Sequence, residues 1–197
     1  MLKINQIRCE VGETFSIHHI AKKLRCSIHD IHSFEIDRES IDARGDDLHY
    51  SYSVYASIKN EDKYLKNRDV KKESKEVYIL PTTTKAPIQR PIIVGFGPSG
   101  MYAGLILAEA GLKPIIIERG QAVEQRTKDI NEFFTKGKLL ESSNVQFGEG
   151  GAGTFSDGKL TTRMKNIRVS KVYEEFVEAG ANPAILYQQR PHLGTDV

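Results

Sequence analysis

Apolar residues in the first eighty positions recur at two different spacings. Leu2, Ile4 and Ile7 suggest a strand, whereas Ile17, Ile20, Ala21 and Leu24 repeat at helical spacing behind Thr14 or Ser16, either of which suits an N-cap. Phe34 and Ile36 alternate as in a strand, the phase slips near Arg38 to Ser40, and Ile41 and Ala43 resume it, as a β-bulge would produce. Leu48, Tyr50, Tyr52, Val54, Ala56 and Ile58 alternate with His49, Ser51, Ser53, Tyr55 and Ser57, which predicts a strand with one wet face. Gly45-Asp46-Asp47 before it predicts a hairpin turn. The mixed charges from Lys59 to Glu76 read as a solvated helix or connector, and Glu76 to Leu80 as one more strand. The pattern gives a small α+β domain over 1–80, followed by a linker over 81–90 that holds two prolines and a threonine run.

The pattern then changes to short β-branched runs and glycines. Ile92, Ile93 and Val94 suit a strand buried on both faces, and Gly95-Phe96-Gly97-Pro98-Ser99-Gly100 follows at once. A helix of about three turns ends at Gly111, and Ile115 to Ile117 supply a second buried strand ending in Glu118. Further helices are predicted over Val123 to Lys136, with Val123, Ile130, Phe133 and Phe134 inward, and over Ile167 to Ala179, with Val169, Val172, Tyr173, Phe176 and Val177 inward. Between them, residues 144–160 contain five glycines.

Strand, glycine turn, helix, strand and acid in this order form the unit on which a dinucleotide lies. Gly95 permits the tight turn, Gly97 lets a pyrophosphate approach the backbone, Gly100 lets the helix lie close to the sheet, and the helix N-terminus offers N–H groups to a phosphate. Glu118, 23 residues after Gly95, falls near the spacing of the carboxylate that hydrogen-bonds a ribose. In the second glycine stretch, Gly148, Gly150, Gly151 and Gly153 free backbone amides for an anion, and Thr154, Ser156, Asp157 and Lys159 add donors and acceptors.

Composition narrows the setting. With 39% hydrophobic and 27% charged residues and no long apolar run, the chain reads as soluble, cytoplasmic and without a membrane segment. A net charge of +2 leaves no nucleic-acid footprint. Cys9 and Cys26 lack redox spacing and read as reduced structural thiols. His29 and His32 are three apart, but no further ligand completes a metal set, so they read as surface histidines alongside His18 and His19, and no metal is expected.

Residues 92–120 together with Asn144-Val-Gln-Phe-Gly-Glu-Gly-Gly-Ala-Gly-Thr-Phe-Ser-Asp-Gly-Lys-Leu160 resemble the bacterial FAD-dependent oxidoreductases of the NAD(FAD)-utilising dehydrogenase type. Ser40-Ile41-Asp42-Ala43-Arg44 and Pro191-His192-Leu193-Gly194-Thr195-Asp196 resemble further blocks of that family. The resemblance implies an α/β protein in which the small domain precedes an incomplete Rossmann-like FAD-binding domain over 91–197. It also implies FAD as cofactor, NAD(P)H as electron donor, and a chain that is the N-terminal portion of the enzyme and inactive alone. By the same resemblance, Gly95, Gly97, Pro98, Ser99 and Gly100 would hold the pyrophosphate, Glu118 the ribose and Arg119 the adenine side. Gly150, Gly151, Gly153, Ser156, Asp157 and Lys159 would line the pyrophosphate, ribityl and flavin end, and Arg126 would contact a phosphate. No catalytic residue is assigned; His192 reads as structural or capping.

Two other readings stay open. One is a nicotinamide-only dehydrogenase, which leaves the second glycine stretch unexplained. The other is a nucleotide-binding module whose N-terminal domain recognises a partner protein.

Overall fold

The computed structural model of the chain describes residues 1–45, 47–82, 88–162 and 164–194. It is a mixed α/β structure whose described residues form two compact units, one from Met1–Val77 and Leu160–His192, the other from Tyr78–Lys159 with Leu193 and Gly194. The sequence-based division runs the second domain from 91 to 197, whereas residues Leu160–His192 cluster with the N-terminal unit. Among the described residues no helix is long and apolar enough to cross a membrane.

The first unit is an antiparallel sheet in the order β2-β3-β1-β4, built from β1 (Leu2–Glu10), β2 (Ile31–Asp42), β3 (His49–Ile58) and β4 (Val70–Lys72), with α1 (Ile17–Leu24) packed on it. Leu2 and Ile4 share one parity and Ile7 and Cys9 the other, yet all four are buried. The register explains this: Ile4 pairs with Val54 and Ile7 with Tyr52, so β1 carries one extra residue between them, and Gln6 takes up the slip at φ 56°. Without that bulge, Ile7 and Cys9 would face away from Ile20, Ala21 and Leu24 of α1. Full burial of each large aliphatic side chain stabilises the fold by about 1.5–3 kcal/mol.

The phase slip read near Arg38 is also a bulge, since Ile36 pairs with Val54 and Arg38 with Ser53. Tyr55, assigned to the wet face of β3, is nevertheless buried, because Lys3 Nζ reaches its hydroxyl at 3.0 Å and covers its ring. The charged stretch from Lys59 to Glu76 is neither a helix nor a free connector. It forms a 3-10 turn at Glu61–Tyr64 and then β4, with Tyr64 and Val70 buried as its two apolar anchors. The strand expected over Glu76 to Leu80 does not form: Val77 and Ile79 are exposed, with no strand edge paired to them. Of the linker, residues 83–87 lie outside the described residues, as does Asp46 of the hairpin turn.

The same unit holds α4 (Ile167–Glu178), capped by Asn166, whose side chain accepts from the Arg168 amide at 3.0 Å. Its expected inward stripe is half-buried rather than buried. The chain then passes through a 3-10 turn at Pro183–Leu186, where Ile185 is buried, and Tyr187 O accepts from Glu39 N–H at 2.8 Å.

In the second unit β5 (Ile92–Val94) and β6 (Ile115–Ile117) pair in parallel, joined through α2 (Pro98–Glu109), and α3 (Val123–Lys136) follows. The expectation that both strands are buried on both faces does not hold. Ile92, Val94, Ile115, Ile116 and Ile117 are all exposed, because two strands with one helix against them leave much of the sheet in solvent. On the covered side α2 approaches closely: a Cβ on Gly104 would lie 2.7 Å from Ile116 Cδ1.

Candidate functional site

Parallel pairing runs one residue past β5, where Gly95 N–H donates to Ile117 O at 2.7 Å. Gly95 then takes φ +100°, a conformation that L side chains rarely adopt, and turns the chain toward α2. Gly97 is the N-cap, with no side-chain capping bond, and Pro98 occupies the first helical position, where its missing N–H costs nothing. Pro98 and Ser99 are exposed. The helix starts so near the turn that a Cβ on Gly100 would lie 2.0 Å from Gly95 O.

Glu118 fastens this turn to the end of β6. Its Oε2 accepts from Phe96 N–H at 2.6 Å and its Oε1 from Gly120 N–H at 2.7 Å. Those bonds, Gly120 first and Phe96 second, hold the carboxyl below its ordinary value of 4.5. A carboxyl lowered in the folded state stabilises fully above the unfolded value and loses that contribution as pH falls through the folded value. Glu118→Gln is therefore expected to cost about 1 kcal/mol at neutral pH. It should also flatten the fall in stability below about pH 4.5, where the carboxyl titrates. Urea unfolding at neutral and acid pH checks this, and an unchanged acid limb would remove Glu118 from the account.

The second glycine stretch lies on the first. Gly150 N–H donates to Phe96 O at 2.8 Å, a Cβ on Gly151 would lie 3.2 Å from Gly97 Cα, and one on Gly153 would lie 3.9 Å from Pro98 Cγ. Gly150 has φ +80° and opens a 3-10 turn over Gly151–Phe155; any Cβ there would strike Thr154 Oγ1. Beside it, Glu149 caps α3 by accepting from Val123 N–H at 2.8 Å. Glycine backbone of the two segments thus meets at the N-terminus of α2, with the Pro98 ring beside Gly151 and Gly153.

Arg126 holds the second loop in place. Its guanidinium is fully buried, donates to Asn144 O (2.9 Å), Val145 O (2.9 Å), Glu149 O (2.5 Å) and Thr154 Oγ1 (3.3 Å), and lies 4.9 Å from the centre of the Phe155 ring. Burial lowers its pKa, and the Glu118 charge acts in the opposite direction. The sequence reading placed Arg126 against a cofactor phosphate; in the structure its fork is turned onto carbonyls of its own chain. One turn further along α3, buried Asp129 accepts from Ser143 Oγ (2.5 Å) and Gln125 Nε2 (2.9 Å) and ties down the approach to the loop.

The remaining residues are spread more widely. Arg119 is exposed, lies over the Phe147 ring at 5.3 Å and, with Phe133, Leu139 and Phe147, lines a cleft of about 740 Å³. Ser156, Asp157 and Lys159 lie on the exposed turn after the loop, where Ser156 Oγ donates to Gly153 O (2.9 Å) and accepts from Gly158 N–H (3.2 Å). Lys159 Nζ pairs with Asp157 at 2.7 Å, which raises the ammonium pKa. His29, His32 and His192 are exposed. The structure therefore brings Gly95, Gly97, Pro98, Gly100, Gly150, Gly151 and Gly153 together, with Glu118 and Arg126 behind them. A signal for Arg126 was present in the sequence: it shares the inward stripe of α3 with Val123, Ile130 and Phe133, so a charged residue there requires a buried set of acceptors.

Residues 1–57 match a domain of unknown function (DUF8436). The whole chain is 42% identical, over 203 aligned residues, to an uncharacterized protein of Clostridium beijerinckii, of whose length it spans 38%.

Proposed function

We propose that the two glycine loops form the pyrophosphate cradle of an FAD site, in a Rossmann-like domain of an FAD-dependent oxidoreductase of the NAD(FAD)-utilising dehydrogenase type that takes electrons from NAD(P)H. The observation that carries this reading is the contact between the loops: Gly150 N–H bonded to Phe96 O, with the Gly97 and Gly151 backbones close together. A single glycine turn serves many folds, but a second one held against it by a buried arginine leaves backbone with few side chains beside the N-terminus of α2, where a diphosphate can approach the first-turn amides of the helix, while the Gly150 and Gly151 amides are spent on Phe96 O and Gly148 O. When bound, FAD supplies hydride chemistry at its N5 atom.

The chain's own residues bind and orient. Ser99 and the open N-terminus of α2 face the phosphates, and Arg126 keeps Gly148 to Thr154 in the receptive shape. Glu118 fixes the turn through both carboxylate oxygens, whose remaining lone pairs are open to ribose hydroxyls. Arg119 supplies the adenine side.

The test is an equilibrium titration of FAD fluorescence by the purified chain, set beside Gly97→Val. Wild type is expected to quench FAD saturably and to lose it on a sizing column, since the sheet that carries the site is largely open to solvent. The variant should bind at least about 100-fold more weakly, because the added methyls stand against the pyrophosphate path. Saturable binding of NAD+ with none of FAD would replace this reading by a nicotinamide-only dehydrogenase.

A further inference from the structure

The sheet unit brings together three residues that are scattered in the sequence. Cys9 is almost wholly buried on the α1 side of β1, because the bulge at Gln6 resets the parity of that strand. The chain turns at Val11 and Gly12, passes Glu13, and starts α1 after Ser16, which puts His19 in the first turn of the helix. One ligand atom from each of Cys9, Glu13 and His19 then lies within 4.8 Å of the other two. His19 Nε2 is 3.4 Å from Glu13 Oε2, and Cys9 Sγ makes long contacts to Glu13 O at 3.6 Å and Glu10 O at 3.8 Å.

We propose that Cys9, Glu13 and His19 form a divalent-metal site that takes Zn2+ through a thiolate, a carboxylate and an imidazole and leaves a fourth position for water. Zinc with sulfur at ~2.3 Å and nitrogen or oxygen at ~2.0–2.2 Å requires its tetrahedral ligands to be about 3.4–3.6 Å apart. The imidazole–carboxylate pair is already at that separation, and the thiol lies within 4.8 Å of both. One soft, one intermediate and one hard donor suit zinc better than the all-oxygen ions.

The surroundings orient the ligands. Phe15 stacks on the His19 ring at 5.3 Å and on Tyr52 at 4.2 Å, which fixes the plane of the imidazole. Nδ1 accepts the Ser16 N–H at 3.2 Å in the capping box of α1 and is also 3.2 Å from Ser16 Oγ, so with Nε2 on a metal the ring proton moves to Nδ1 and is donated to Ser16 Oγ in place of that capping bond. Without metal, burial and the nearby charges of Glu13, Glu10 and Glu39 push the Cys9 thiol up and keep it protonated. A dication reverses that field: the S–H bond breaks, the S–metal bond forms, and the proton leaves to solvent with no change of oxidation state. Glu13 and His19 also line a cleft of about 480 Å³, through which the ion and its water enter.

The test is a Co2+ titration of the purified chain, without a histidine tag and after removal of metal by chelation. One equivalent is expected to bind, with a thiolate-to-cobalt charge-transfer band and the intense visible bands of four-coordinate cobalt, both erased by added Zn2+. Cys9→Ser should abolish the charge-transfer band, Glu13→Gln and His19→Gln should each weaken binding at least about ten-fold, and His18→Gln and Cys26→Ser should leave it unchanged. Absence of the band in wild type, or a band that survives Cys9→Ser or vanishes in Cys26→Ser, overturns the proposal. Should Cys9→Ser fail to fold, the two surface-side variants decide, and wild-type affinity in both is equally fatal. FAD takes no part in these readouts, so failure of the flavin reading leaves them unaffected.

Discussion

Arg126→Ala is expected to destabilise the glycine-loop unit by about 3–5 kcal/mol, because it takes the guanidinium donor from Asn144 O and Val145 O, leaves Glu149 O with Thr154 Oγ1 alone, and opens a cavity beneath the loop. The carbonyls of Asn144, Val145 and Glu149 all converge on one guanidinium that is shielded from water, and no single side chain replaces that fork. Arg126→Lys should recover only part of the loss, since one ammonium on a flexible stem does not reproduce the planar geometry. Amide hydrogen exchange is the direct measurement, with the amides of residues 148–156 exchanging at least about 100-fold faster in the alanine variant. Unchanged protection there would mean that the loop is held by something else.

Gly100→Ala and Gly97→Ala should separate stability from binding. A methyl on Gly100 would sit 2.0 Å from Gly95 O and 3.0 Å from Gly95 C, both backbone atoms of the turn itself, so α2 or the turn has to move. The expected cost is about 2–4 kcal/mol, at the upper end for overpacking because the obstacle is backbone rather than a side-chain tip. Gly97 has an ordinary φ of −76°, and its nearest neighbour would be Gly151 Cα at 4.0 Å, an unstrained contact. Gly97→Ala should therefore change stability by less than about 0.5 kcal/mol while still weakening FAD, whose pyrophosphate needs that space. Thermal unfolding and FAD titration of both variants check the pair. Undiminished FAD binding by Gly97→Ala would remove the cradle reading and leave the Gly100 result standing.

The regular elements were legible because their periodicities are local. α1 behind Ser16, the slip near Arg38, the long strand His49–Ile58 and the helices at Val123 and Ile167 all follow from spacing alone. What escaped depends on distant partners. β4 is three residues in a charged stretch and exists because Val70 finds Ile4 across the sheet. The Glu76 to Leu80 segment has strand-like residues but no edge to join, and the isoleucines of β5 and β6 look like core without being covered.

The same division runs through the candidate sites. The glycine spacing announced a turn and a loop, but the bond from Gly150 to Phe96 that joins them spans more than fifty residues and has no local signature. The Cys9, Glu13 and His19 cluster was hidden for a similar reason. The pair that spacing singles out, His29 and His32, is exposed, whereas the convergent set depends on a bulge that turns Cys9 inward.

The place of β1 in its sheet also fixes an order of events at the ribosome. Leu2 pairs with Ala56 on one side and with Lys72 on the other, so β1 lies between two strands that are made after it. At about 5–20 residues per second, the 70 positions from Leu2 to Lys72 take roughly 4–14 s to appear. Meanwhile β2 and β3, neighbours in sequence, can close as a hairpin, but Leu2, Ile4 and Ile7 wait unpaired. A newborn chain in that interval presents an apolar strand to holding chaperones and to other copies of itself. The bulge at Gln6 interrupts its regular edge and lowers its tendency to zip onto a second nascent strand before its own partners emerge.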